Sequence, residues 1–164
     1  YHPLTLASLF FLFSILGWIL ETLSYLTMEG VFLNRSILLG PWIPLYGICG
    51  VLSVTMLHRF AKNPILAFCM NGLLYSVIGY LSDFTVQMIW HADLHKISQY
   101  FRPSLLPPFF ADAVFLGLIG CTCQYFIAPK WKQVTRKIPL WFLLCVCVLL
   151  GMLMLLDVFF AFYR

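Results

Sequence analysis

Charge is what this sequence has least of. Of its 164 residues, ten are Lys or Arg and six are Asp or Glu, so 10% of the chain is charged while 62% is hydrophobic. Soluble domains carry about a quarter charged residues, and a chain this poor in them could not keep its surface wet. The composition excludes a water-soluble globule and makes hydrocarbon the main solvent. Hydrolytic signatures are missing too. No Gly-x-Ser-x-Gly, His-Glu-x-x-His or Gly-x-x-x-x-Gly-Lys-[Ser/Thr] occurs, so the chain carries no P-loop and no visible triad or zinc-protease helix. The net charge of +4 is small and lies in loops, which reads as membrane topology rather than nucleic-acid affinity.

The six cysteines, Cys49, Cys69, Cys121, Cys123, Cys145 and Cys147, all fall inside apolar runs, which argues against a disulfide framework. Residues two apart on a helix point about 200° apart, so neither Cys-x-Cys pair chelates a metal from a regular helix. His91, Asp93 and His95 alternate in a loop without a fourth ligand at a suitable spacing. No metal and no cofactor is expected. The first residue, Tyr1, is not Met, so the start is expected to be processed or trimmed. The first apolar run shows no signal-peptide cleavage pattern and continues into Glu21.

What is there in abundance is apolar run after apolar run. A window near 20 residues predicts an all-α polytopic bundle of five transmembrane helices, at about Leu4 to Leu26, Pro41 to Leu57, Pro64 to Trp90, Phe109 to Ala128, and Pro139 to Phe162. Each of the last four has a proline at or just before its start, where a missing N–H does no harm. Many of the five Trp and eight Tyr stand near the ends of these runs, at headgroup depth. Arg59, Lys62, Lys130, Lys132, Arg136 and Lys137 fall in loops on one side, and Arg35, Lys96, Arg102 and Arg164 on the other. The excess places the N-terminus in the cytoplasm.

Two segments match. Phe13 to Glu21 reads aromatic, Ser, β-branched, aliphatic, Gly, aromatic, aliphatic, any, acid, and Tyr75 to Asp83 reads the same. Arg35 to Trp42 then aligns with Arg102 to Phe109, and each following helix carries a Gly-x-x-Gly, at Gly47 and Gly50 and at Gly117 and Gly120. The chain is therefore read as one transmembrane domain made of a two-helix hairpin used twice, about 4–57 and 64–128, plus an extra helix at about 139–162. An even number of crossings separates the copies, so they run parallel, and repeat interfaces are where transporters place their sites.

Chemistry concentrates on two stripes at helical spacing: Ser14, Gly17, Glu21 and Ser24, and Gly72, Ser76, Gly79, Asp83 and Gln87, with Asn71 at the edge. Glu21 and Asp83 lie late in their helices, within reach of Arg35 and Arg102. An intramembrane carboxylate costs roughly 2.5 to 3.5 kcal/mol on insertion scales and needs a partner or a wet cavity. These groups read either as salt bridges fastening the hairpins, or as a polar cavity for a cation, a proton or an anion. Asp112 suits the start of a helix dipole. Asp157 has Arg164 two turns along the same face and is left open between that pairing and the outer interface.

Gly17, Trp18 and Glu21, followed by Phe32, Asn34, Arg35, Leu38, Gly40, Pro41, Pro44, Tyr46, Gly47 and Gly50, resemble the pattern of the CmpB-type ABC-transporter permease family, small bacterial membrane proteins. Ser36 replaces the usual Gly, and the second hairpin, with Gly79, Tyr80 and Asp83, matches more weakly and lacks the family's Asn-Gly-Arg. The resemblance implies transport in a bacterial inner membrane, with Glu21, Asn34 and Arg35 central; the internal repeat, not the resemblance, adds Asp83 and Arg102 as counterparts. It also implies a possible separate ATPase subunit, for which Lys130 to Lys137 is the one candidate coupling element. Five helices enclose little volume, which favours a homo-oligomer or another membrane subunit. A non-transporting scaffold, sensor or assembly partner, and an intramembrane lipid-modifying enzyme using Glu21 or Asp83, are the rival readings.

Overall fold

The computed structural model describes residues 2–30, 40–90 and 108–163. Among them the chain is helical with connecting turns and contains no strand. Helix α1 (Pro3–Glu29) begins with proline at its first position, beneath the His2 carbonyl that accepts from Thr5 and Leu6. It ends because Gly30, at φ 67°, turns left-handed and donates back to the Leu26 carbonyl at 3.1 Å, a closure that glycine makes without a Cβ penalty. Helix α2 spans Pro44–Met56, followed by a 3₁₀ turn at Leu57–Phe60. Helix α3 spans Pro64–Trp90 and α4 Pro108–Thr122. A π turn at Cys123–Ile127 leads into α5 (Ala128–Lys137), and α6 spans Leu140–Tyr163.

Two boundaries differ from the sequence expectation, each for a reason of backbone chemistry. The second helix starts at Pro44, not Pro41. Were Pro41 the first residue, Pro44 would fall where the helix needs an N–H donor, so the later proline takes the first position. The basic segment at 130–137 is a helix rather than a loop. Pro129 cannot donate to the carbonyl four residues back and its ring crowds that carbonyl. The chain widens into the π turn just before it and then resumes α geometry.

By length and composition three helices can cross a membrane among the described residues, within Pro3–Leu23, Pro64–Leu81 and Leu140–Ala161. On α6, Leu149, Met152, Leu155 and Phe160 are each 60% exposed or more. In water such a surface would be an aggregation liability; in hydrocarbon it is the ordinary exterior.

The residues group into two compact units. One comprises Tyr1–Val51 with Ala128–Arg164, the other Leu52–Ile127. In the first, α1 packs on α6 and on α5, around Leu9, Phe13, Ser14, Tyr46 and Cys49. In the second, α3 and α4 pack along each other around Asn71, which is fully buried. Its side-chain oxygen accepts from the Ser53 hydroxyl at 2.5 Å, and its NH₂ donates to the Ala67 carbonyl at 2.8 Å and to Gln124 at 3.0 Å. Gln124 in turn donates to the Leu57 carbonyl at 3.1 Å, and the next residue, Tyr125, to the Ala61 carbonyl at 2.7 Å. The π turn lets two successive side chains serve carbonyls left over where the preceding helix ends.

In both hairpins the Gly-x-x-Gly of the second helix lies against side chains of the first. Gly47 sits on Phe10 and Ser14 and Gly50 on Phe13, while Gly117 sits on Phe68 and Gly120 on Asn71. Aligned by the repeated segments, the second set of contacts falls one helical turn earlier.

Candidate functional site

The site is built where α2 enters against α1. Ser14 turns its hydroxyl back onto the Phe10 carbonyl at 2.8 Å, and its own carbonyl accepts the Ile43 N–H at 3.0 Å. That bond fixes the incoming chain one residue before Pro44. Gly17 follows one turn on, with the Tyr46 ring laid directly over it, so close that any Cβ there would overlap the ring. Another turn along the same face, the Tyr46 hydroxyl donates to Glu21 Oε1 at 3.0 Å. Ser14, Gly17 and Glu21 therefore form one strip read by one partner segment. Trp18, between them, is half-buried.

A second acid closes the turn from the other side. Asp157, buried on α6, accepts through one oxygen both the Gly40 backbone N–H at 2.7 Å and the Trp42 indole N–H at 3.0 Å. Hydrogen bonds to a carboxylate are shorter and about twice as strong as neutral ones. A Cβ on Gly40 would meet the Trp42 indole, so glycine is required for the ring to fold back. Glu21 is about 27 Å along α1 and Asp157 about 26 Å along α6, at 1.5 Å per residue; in a core about 30 Å thick both lie near the far ends of their spans.

Of the residues expected at the site, Gly17, Glu21, Gly40, Tyr46, Gly47 and Gly50 come together with Ser14 in this unit. Pro44 opens α2 and Pro41 lies exposed in the turn. Gly79 lies on α3 with open space around its Cβ position. Asn34, Arg35 and Arg102, the His91, Asp93 and His95 motif, Arg164, and the side chains of Asp83 and Asp112 lie outside the described residues. Asp157 and Trp42 were not placed in the site from sequence. An acid inside the most apolar run is a visible anomaly, but its partners stand 117 and 115 residues away.

In the Cys-x-Cys pairs, Cys123 and Cys147 are buried, Cys121 is half-buried and Cys145 is exposed. No cluster of three metal-ligating side chains occurs among the described residues.

The apolar exterior, and the carboxylates turned onto protein donors instead of lipid, define a helical integral membrane protein. The family follows from comparison: the model of the CmpB family, described as Putative ABC-transporter type IV, matches residues 8–162, and the chain belongs to that family. No curated protein and no solved structure matches the chain.

Proposed function

We propose that the chain is the membrane component of a transporter, working as a homo-oligomer or with another membrane subunit, around a polar site in the outer half of the bilayer. The observation that carries this reading is the Tyr46 bond to Glu21 across Gly17. It joins residues of the family pattern in one contact and turns the costliest side chain of α1 inward. Packing alone does not require an acid there, since an apolar residue would fill the space without the roughly 2.5 to 3.5 kcal/mol that a charge costs in the bilayer.

In this reading Asn34 and Arg35 complete the site from the segment between Gly30 and Gly40, and Asp83 and Arg102 supply its counterpart in a duplicated hairpin. The Gly-x-x-Gly contacts made in both hairpins support the duplication. The chain crosses a bacterial inner membrane five times from a cytoplasmic N-terminus. Glu21 holds a proton, a monovalent cation or a cationic group, and the arginines bias the acids or take an anion. Any nucleotide-driven step belongs to a separate ATPase subunit, because no P-loop occurs here.

One observation favours a second reading, a non-transporting scaffold: Glu21 and Asp157 are both engaged by donors of their own chain. Glu21→Gln separates the two, because the amide oxygen still accepts from Tyr46 while the charge is gone. Proteoliposomes carrying trapped pH- and potassium-sensitive dyes should lose flux in this variant at unchanged expression and assembly. Absence of flux from the unaltered chain, or flux unchanged in the variant, would favour the scaffold instead.

A further inference from the structure

Helix α5 divides cleanly by face. Ala128, Trp131 and Thr135 form the stripe turned inward, the first and third buried and Trp131 half-buried, while Lys130, Gln133, Arg136 and Lys137 are exposed on the opposite side. Lys132 stands between. The helix is held by its ring: Trp131 donates its indole N–H to Ser8 at 2.9 Å, and Ser8 donates to the Thr5 carbonyl at 2.9 Å. Ser8 lies in the second turn of α1, counted from Pro3.

That pin sets the depth of α5. Phe11 on α1 lies over Gly151 on α6, 3.9 Å from where a Cβ would stand. Phe11 is about 12 Å along α1 and Gly151 about 17 Å along α6; further along both, Ser14 bonds Ile43 and Asp157 bonds Gly40 and Trp42 of the same turn, so the two helices run parallel and begin at the same side. Helix α6 starts three residues after α5 ends, with Trp141 68% exposed and Phe142 49% exposed, rings suited to the interface. The basic face thus sits at the level where two apolar helices begin. No Asp or Glu occurs from Gln124 to Leu156, nor in α1 before Glu21, so neither the helix itself nor the part of α1 packed on it supplies an acid to the exposed Lys130, Arg136 and Lys137.

We infer that α5 binds the headgroups of anionic phospholipids, with Lys130, Arg136 and Lys137 as the binding residues and Trp131 as the residue that positions them. This rests on the membrane setting alone and does not depend on the transport reading. Juxtamembrane Lys and Arg are each attracted to an anionic leaflet, and an amphipathic basic helix lying in the interface presents them together. Excess positive charge on one side would orient the chain without any lipid preference; the preference is the added claim.

The full chain is reconstituted in phosphatidylcholine bilayers containing a fixed fraction of brominated phosphatidylglycerol or, in parallel, brominated phosphatidylcholine, and tryptophan quenching is read. The anionic lipid should be enriched about fivefold at the protein, the effect of one well-placed cation or more. The enrichment should vanish in 1 M salt, where charges are screened within about 3 Å, and in the variant with Lys130→Gln, Arg136→Gln and Lys137→Gln. If that variant fails to fold, the salt titration on the unaltered chain decides alone. Equal quenching by the two lipids overturns the inference and leaves the basic face as a determinant of orientation alone.

Discussion

A methyl group placed on Gly17 would overlap the Tyr46 ring, whereas one placed on Gly79 meets nothing within 4 Å among the described residues. The two glycines occupy matching places in the sequence pattern, yet only the first is there to admit a ring. Gly17→Ala should therefore destabilise the folded protein by about 1–3 kcal/mol, the usual cost of overpacking, and Gly79→Ala should be neutral or stabilising by up to about 1 kcal/mol; thermal unfolding in detergent distinguishes them. For Asp157, the Asn variant keeps an oxygen for Gly40 and Trp42, but Asp157→Leu leaves two donors without that acceptor, a loss of about 1–3 kcal/mol each if they stay buried. A thermal midpoint ordered as unaltered chain, then Asn, then Leu is expected. At this scale the sequence offered Glu21 as an inward-facing acid, because it sits on a stripe of small residues, and held no sign of its bond to Tyr46. It disclosed Asp157 only as an anomaly, since nothing local points to a turn 117 residues earlier.

Prolines made most helix starts legible. Pro3, Pro64 and Pro108 open helices, and Pro139 offers its carbonyl to the first turn of α6. Where two prolines compete, as at Pro41 and Pro44, spacing alone did not decide; the need for an N–H four residues in did. The helix at 128–137 was hidden by the same residue type, because Pro129 reads as a terminator and the backbone absorbs it by widening into the π turn. The second unit depends on that widening to bring Gln124 to Asn71 and Leu57. Asn71→Leu removes the acceptor of Ser53 and the donor to Gln124 together. Intramembrane hydrogen bonds average about 0.6 kcal/mol, so the expected loss is about 1–3 kcal/mol, measured by reversible unfolding in mixed micelles.

For the molecule as a whole, the helical class and its apolar exterior were plain from composition, because nearly every turn of every run is hydrophobic. The number of crossings is a harder matter. Helix α2 has 13 residues and α4 has 15, about 20 and 23 Å at 1.5 Å each, shorter than a core of about 30 Å. Five crossings require the flanking segments, the turn at 40–43 and the 3₁₀ turn on one helix and the π turn on the other, to share the depth. Alkaline phosphatase, active only outside the inner membrane, gives the check. Fusions after Arg35, Arg102 and Arg164 should be active, and fusions after Lys62 and Lys137 inactive; activity after Lys62 would remove α2 as a crossing.

The bond from Gly40 to Asp157 also orders events during synthesis. At about 5–20 residues per second, a ribosome needs roughly 6–23 s to extend the chain from Gly40 to Asp157, 117 residues on. Throughout that interval the first hairpin is present without the oxygen that will fasten its turn. A nascent chain stalled or truncated before Asp157 would therefore keep every residue of the family's leading motif and still lack its latch.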